Sequence, residues 1–429
     1  MKEKAGPKKG RRVIVLGAGF GGLEFCKKFS YEEAEIIVID RQNHHLFQPL
    51  LYQVASAGLS APEIAQPVRQ ILSGRKDISI ILDEVLAIDL NKRKVRLRES
   101  DTELIYDYLI IALGAQTNYF GNDRWSVYSH GLKTLDDATR IRHRVLLAFE
   151  KAEYAGNAAI RERLMTIVVI GGGPTGVELA GAFAELVRHV FKKDFRHIDP
   201  SKARIILIEA APRILLSFPE RLAARGREQL EKLGVEIRTG AEVNDIKKGK
   251  VILENEIIEA ENIIWSAGVC ANRISRELNV DKDKSGRIKV CVDLTLPGCP
   301  NVFAVGDIAA LVDAKGRSDP GVSPAAMQMG NYVAKVLKRE LKAPAGNPPR
   351  VPFVYWDKGS MATIGRSAAV AKIGRLEISG LFAWLSWLFI HLIFLIGFRN
   401  KLAVLLQWFY SYINYKRGAR IITGLNKDD

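Results

Sequence analysis

Two glycine-rich loops lie 154 residues apart in this chain, and they constrain its fold more than any other feature. The run Val13 to Leu16 enters GAGFGG at 17–22, and Ile167 to Ile170 enters GGGPTG at 171–176. Each loop is followed by a helix-like stretch and then by a strand ending in an acid, Asp40 after AEIIVID and Glu209 after ARIILIE. A meander of short strands follows each acid, and then a strand closing on a glycine: Leu109 to Ala112 before Gly114, Ile263 to Trp265 before Gly268. Gly114 and Gly268 are again 154 residues apart, so the two copies keep register over most of their length. Apolar strands alternating with helical periodicity in this order predict an α/β chain with two Rossmann-like dinucleotide-binding domains.

In a G-x-G-x-x-G loop the first glycine permits a tight turn, the second lets the backbone approach a pyrophosphate, and the third packs helix on strand. The helix that follows offers free N–H groups and positive potential to the phosphates. Gly17, Gly19 and Gly22 fit this pattern, as do Gly171, Gly173 and Gly176. Asp40 stands 18 residues after Gly22, near the spacing expected of a carboxylate that binds a ribose hydroxyl. Glu209 stands 33 after Gly176, a longer gap that implies an extended helix and loop before it. If Glu209 faces the ribose, its charge repels a 2′-phosphate and selects NADH over NADPH.

The chain carries 63 Lys and Arg against 48 Asp and Glu, a formal +15, which points to an anionic surface or ligand. Its last part decides between nucleic acid and lipid. Beyond a proline-rich linker at Pro344 to Pro352, residues 378–398 contain no charge, and a second uncharged run, Leu402 to Tyr415, follows Arg399 and Lys401. Trp384, Trp387 and Trp408 fall there, with Tyr410, Tyr412 and Tyr415, where membrane-interface aromatics are expected. The stretch Leu381 to Phe398 approaches the length of a bilayer span, but His391 interrupts it and the second run is too short. A monotopic anchor lying in one leaflet of an anionic membrane is therefore expected, with no nucleic-acid partner. The N-terminus MKEKAGPKKGRR is basic but has no apolar core, so no secretory peptide is expected. The expected domains are 1–118 with 290–343, 119–289, and 344–429.

Cys26, Cys270, Cys291 and Cys299 include no C-x-x-C pair, which argues against a dithiol redox centre. Two nucleotide sites without one suggest a flavin and a nicotinamide face to face, with the cofactors carrying the chemistry and the protein orienting them.

The blocks HHLFQPLLYQVASAGLS from His44, ALGAQTNYFG from Ala112, GGGPTGVELAGAFAE from Gly171, WSAGV from Trp265, VFAVGDIA from Val302, PGVSPAAMQMGNYVAK from Pro320 and DKGSMATIGRSAAV from Asp357 carry a resemblance. Together they resemble the type II NADH:quinone oxidoreductases, single-subunit flavoenzymes that oxidise NADH and reduce membrane quinone without pumping protons. The resemblance implies an FAD site formed by Gly17, Gly19, Phe20, Gly22, Asp40, Ala112, Gly114 and Asp307. It implies an NADH site formed by Gly171, Gly173, Pro174, Gly176, Glu178, Glu209, Ala267 and Gly268, with Glu178 near the nicotinamide. Gln328 would meet the quinone carbonyl, and Lys358 would place positive charge near the reduced flavin or quinone. Pro324 and Met329 depart from family members that often carry glutamines at these positions, which leaves the polar inventory at the quinone open. No metal is implied; the partners implied are the quinone pool and membrane lipid, with a homodimer left open. The expected location is the inner (cytoplasmic) membrane with the catalytic domains facing the cytoplasm. Two other readings share the frame. A sulfide:quinone oxidoreductase would need sulfur-carrying cysteines beside the flavin, and a flavoprotein switched by NADH would show little turnover.

Overall fold

The computed structural model describes residues 10–312, 316, 318–343, 348–414 and 417–422. The basic stretch 1–9, linker residues 344–347 and Tyr415 lie outside the described residues. The chain forms two compact units. One holds the chain up to His45 with Gln66–Gln116 and Val269–Asp357; the other holds Leu46–Ala65, Thr117–Gly268 and the chain from Lys358 on.

The first unit is built on a six-stranded sheet. Its order is Thr295–Leu296, Cys299–Ala304, Tyr108–Ile111, Arg11–Leu16, Ala34–Asp40, Ile78–Leu82, parallel except for the first, an antiparallel edge. Val13 to Leu16 have no exposed surface, as expected of a central parallel strand covered on both faces, which reads as an unbroken β-branched and leucine run. The helices Phe20–Lys28 and Ser323–Lys342 pack against each other. A three-stranded antiparallel meander, Val85–Asp89, Lys94–Leu97 and Glu103–Ile105, completes the unit.

The second unit repeats the plan. Its parallel sheet runs His130–Gly131, Asn262–Trp265, Ile167–Ile170, Ile205–Glu209, Val235–Thr239. The register carries the sequence repeat into space: Val13 pairs with Tyr108, and Ile167 with Asn262, each partner shifted by 154. The long gap before Glu209 is filled by a π-helical turn at Leu186–Val190, a 3₁₀ turn at Phe191–Lys193 and another at Pro200–Lys202. Glu209 nevertheless ends its strand as Asp40 does.

Several segments group differently from the expected boundaries; Leu46–Ala65, expected in the first domain, belongs with the second unit. Residues 269–289 belong with the first unit, because Ile274, Leu278 and Ile288 enter a core with Ile14 and Leu16. The C-terminal part belongs with the second unit. Its antiparallel sheet, Ser360–Gly365, Ala368–Ile373 and Leu376–Ser379, lies on the helix Pro174–Glu185 so closely that a Cβ on Gly181 would stand 1.7 Å from the Ile364 carbonyl oxygen.

The uncharged run is broken. One helix spans Leu381–Phe394, Leu395 is extended and Gly397 takes φ +86°, and a second helix spans Phe398–Asn414. Among the described residues no helix is long and apolar enough to cross a membrane. The three tail tryptophans correct the expectation of interface aromatics. Trp384, Trp387 and Trp408 are 8%, 1% and 4% exposed, and they pack into the second unit. The exposed apolar residues of the tail instead include Phe382, Leu385, Phe389 and Ile393 on one helix and Leu402, Leu405, Leu406 and Phe409 on the next.

Candidate functional site

The two glycine loops are built alike. Gly17 (φ +96°) and Gly171 (φ +110°) turn the chain where a side chain would be strained. A Cβ on them would also stand 2.4 Å from the Ala112 carbonyl oxygen and 2.6 Å from the Ala267 nitrogen, respectively. A Cβ on Gly22 would meet the Gly17 carbonyl oxygen at 1.9 Å, and one on Gly176 would meet that of Gly171 at 1.8 Å, so helix and turn touch. At the middle glycines, Gly19 and Gly173, a Cβ would meet nothing within 4 Å. The backbone at these positions is bare and open at a helix N-terminus, a cradle for a pyrophosphate. Phe20 and Pro174 are the first residues of the two helices, Phe20–Lys28 and Pro174–Glu185.

Both acids brace their loops. Asp40 accepts from the Ala18 N–H at 2.6 Å and the Gln42 N–H at 2.7 Å. Glu209 accepts from the Gly172 N–H at 2.6 Å and the Ala211 N–H at 2.8 Å. Burial raises the Asp40 carboxyl above its ordinary range although the two N–H donors act against it. Each carboxylate keeps further lone pairs for a ribose hydroxyl.

In the first unit, Gly114 is open as Gly19 is, and its carbonyl accepts from the Asn272 N–H at 3.1 Å. Asp307 lies in the 3₁₀ turn Gly306–Ile308, under which Met329 packs, its sulfur accepting from the Gly306 N–H at 3.2 Å. Sequence reasoning passed over His45, which is buried beside the loop. Its Nδ1 meets the Ala18 carbonyl at 3.0 Å, its ring meets that of Phe20 edge-on, and its Nε2 has no partner among the described residues. Burial lowers it to about 4, which keeps the ring neutral. Such an orphaned polar atom beside an open glycine cradle is what a bound cofactor would satisfy.

Gln328 is already engaged. Its Nε2 donates to the Trp356 carbonyl and its Oε1 accepts from the Trp356 N–H, both at 3.0 Å. The amide is thereby fixed, with one N–H left to offer.

In the second unit, Glu178 sits in the second turn of Pro174–Glu185, past the first turn that a helix dipole would favour. Its carboxyl faces the C-terminal sheet, accepting from the Thr363 N–H at 3.3 Å. The Trp387 indole N–H is turned toward it without reaching hydrogen-bond geometry. Burial pushes the carboxyl up to about 8. The ring of Trp387 stacks on that of His391 at 4.1 Å and meets that of Tyr52 edge-on. Gln53 donates to the Tyr52 hydroxyl and accepts from the Trp408 indole N–H, each at 2.8 Å. Arg417 donates to Glu185 at 3.2 Å and to the Ser56 carbonyl at 2.8 Å. The ammonium of Lys358 lies 5.0 Å from the centre of the Phe394 ring. The tail thus supplies part of the wall around Glu178, which a sequence read as an external anchor did not reveal.

Residues 11–330 match the pyridine nucleotide-disulphide oxidoreductase family, and 357–415 match the NDH2 C-terminal domain. The type II NADH:quinone oxidoreductase Ndh of Mycobacterium tuberculosis is 45% identical over 98% of this chain and 92% of its own. The chain belongs to the type II NADH:quinone oxidoreductases. The Staphylococcus haemolyticus type II NADH:quinone oxidoreductase is 30% identical over 86% of this chain and 91% of its own. NDH2 of Plasmodium falciparum, solved with NADH, shares the fold at TM-score 0.87 and 21% identity, covering 95% of this chain and 99% of that one. As a type II NADH:quinone oxidoreductase the chain is an enzyme, a flavin-dependent oxidoreductase. The sulfide:quinone oxidoreductase of Aquifex aeolicus shares the fold at TM-score 0.70 and 18% identity, with 91% and 92% covered. None of the four cysteines is in a disulfide, and burial pushes the Cys26 thiol up to about 12.

Proposed function

We propose that this chain is a membrane-bound enzyme that oxidises NADH and reduces a membrane quinone, with FAD on the first unit and NADH on the second, and without proton pumping. The paired open cradles at Gly19 and Gly173, each cross-braced by an acid, carry the reading. Bound FAD would supply the two-electron chemistry, accepting hydride from NADH and giving electrons to quinone.

The chain's own residues bind, orient and hold protons. Gly17, Gly19, Phe20, Gly22, Ala112 and Gly114 shape the pyrophosphate cradle, with Asp40 toward the ribose and Asp307 toward the ribityl chain or phosphate. Gly171, Gly173, Pro174, Gly176, Ala267 and Gly268 do the same for NADH, and Glu209 opposes a 2′-phosphate. Glu178, which burial raises to about 8, holds a proton at neutral pH and would stand near the nicotinamide. Gln328 keeps one N–H for the quinone carbonyl, and Lys358 would add positive charge for the reduced flavin or quinone. The exposed apolar faces of the tail helices fit burial in one leaflet, with Arg399 and Lys401 at anionic headgroups. The enzyme would lie on the inner face of the cytoplasmic membrane.

The test is spectroscopic. Purified protein should show a flavin spectrum that bleaches on adding NADH and returns on adding quinone; failure to bleach would remove the oxidoreductase reading.

A further inference from the structure

Seven non-glycine residues take positive φ among the described residues, and Phe120 (φ +52°) is the one with a large, exposed apolar side chain. Leu215 and Leu294, which share this conformation, are wholly buried, so their packing offsets the strain. Phe120 is 63% exposed and gains little from burial.

Its backbone is pinned all the same. The Phe120 N–H donates to Asn118 Oδ1 at 2.9 Å, the Asn118 carbonyl accepts the Trp265 indole N–H at 2.9 Å, and the Asn118 N–H donates to the Gly268 carbonyl at 3.4 Å. The ring lies against Gly268, where an added Cβ would stand 2.5 Å from Phe120 Cζ. Ala267, the preceding residue, abuts Gly171 at the start of the second loop. A strained conformation thus holds an open aromatic face beside the strand end that borders a dinucleotide cradle. Strain of this kind persists where surrounding structure imposes it, and it clusters at ligand clamps. An aromatic face takes up a flat ring or the face of a ribose.

We propose that Phe120 contacts NADH, its ring forming a wall against which the dinucleotide lies as it passes Gly268. The inference rests on the NADH reading of the second loop. NAD⁺ titrations of the holoenzyme by calorimetry, with thermal melts, test it on F120G, F120A and F120W. NAD⁺ does not reduce the oxidised flavin, so binding is read without turnover. Glycine accepts φ +52° without strain, so F120G should melt no lower than wild type and higher than F120A. F120G and F120A should each weaken NAD⁺ binding about tenfold, a difference of about 1.4 kcal/mol, while F120W stays within threefold of wild type. NAD⁺ binding by F120G within twofold of wild type would overturn the inference alone. So would F120G melting well below wild type or failing to fold, since the ring would then be a packing element. Absence of saturable NAD⁺ binding by wild type would overturn the reading of the second loop along with it.

Discussion

Replacing Glu178 by glutamine should change how stability depends on pH, in a direction set by burial. The carboxyl ionises near 4.5 in the unfolded chain and near 8 in the folded one. Between those values the unfolded chain has released a proton that the native state retains. Native stability therefore falls as pH rises through this window, by at most about 1.4 kcal/mol per unit, and is flat on either side. The full shift, in which the Thr363 N–H is already counted, sets a ceiling of about 5 kcal/mol, and structural relaxation around the ionised carboxyl reduces it to roughly 2–3 kcal/mol. For a unit of this size that is about 5–10 °C in melting temperature. Glutamine keeps an oxygen for the Thr363 N–H and carries no charge. The melting temperature of E178Q minus that of wild type, measured at pH 5 to 9, should therefore grow up to about pH 8 and then level off. Parallel curves for the two proteins would refute the burial argument.

Glu209→Gln should narrow the preference for NADH over NADPH in steady-state kinetics, and should also raise KM for NADH severalfold. One amide oxygen cannot serve the Gly172 and Ala211 N–H groups as two carboxylate oxygens do. Gln328→Ala should leave flavin reduction by NADH nearly intact in stopped-flow work and slow reoxidation by quinone about tenfold, because it removes the remaining N–H and both bonds to the Trp356 backbone; equal loss in both steps would indicate a structural role. Truncation after Gly380 should yield aggregated or unstable protein, since it strips Trp384, Trp387 and Trp408 from the second unit. The double variant F389D/F409D should instead keep its melting temperature and lose binding to anionic vesicles in flotation assays.

The repeat, the strand order around each glycine loop and the positions of both acids were legible because backbone geometry demands particular residues there. No other residue fits the Gly17 turn, and only a short acid-terminated strand places Asp40 against Ala18. The tail was read less well. Hydropathy reports that Trp384, Trp387 and Trp408 leave water but not whether lipid or protein receives them. A buried protein-facing tryptophan and an interfacial one look the same in sequence. Arg417 gave no signal, because an arginine after an aromatic run is indistinguishable from a solvated one until Glu185 is seen beside it. Gln53 and His45 lay in a recognised block, but their roles depend on partners far away in sequence.

The sheet of the first unit is assembled from distant stretches of chain, and this has a consequence for synthesis. The strand Tyr108–Ile111 gains its outer neighbour only when Cys299–Ala304 has been made, with all five strands of the second sheet translated in between. At about 5–20 residues per second that interval is roughly 10–40 s. On the ribosome the later-encoded sheet can therefore close before the earlier one, reversing the usual N-terminal-first order. Until then the strand that later flanks the first glycine loop waits with an open, apolar edge, the state in which a nascent chain most needs a chaperone or a slow pace downstream.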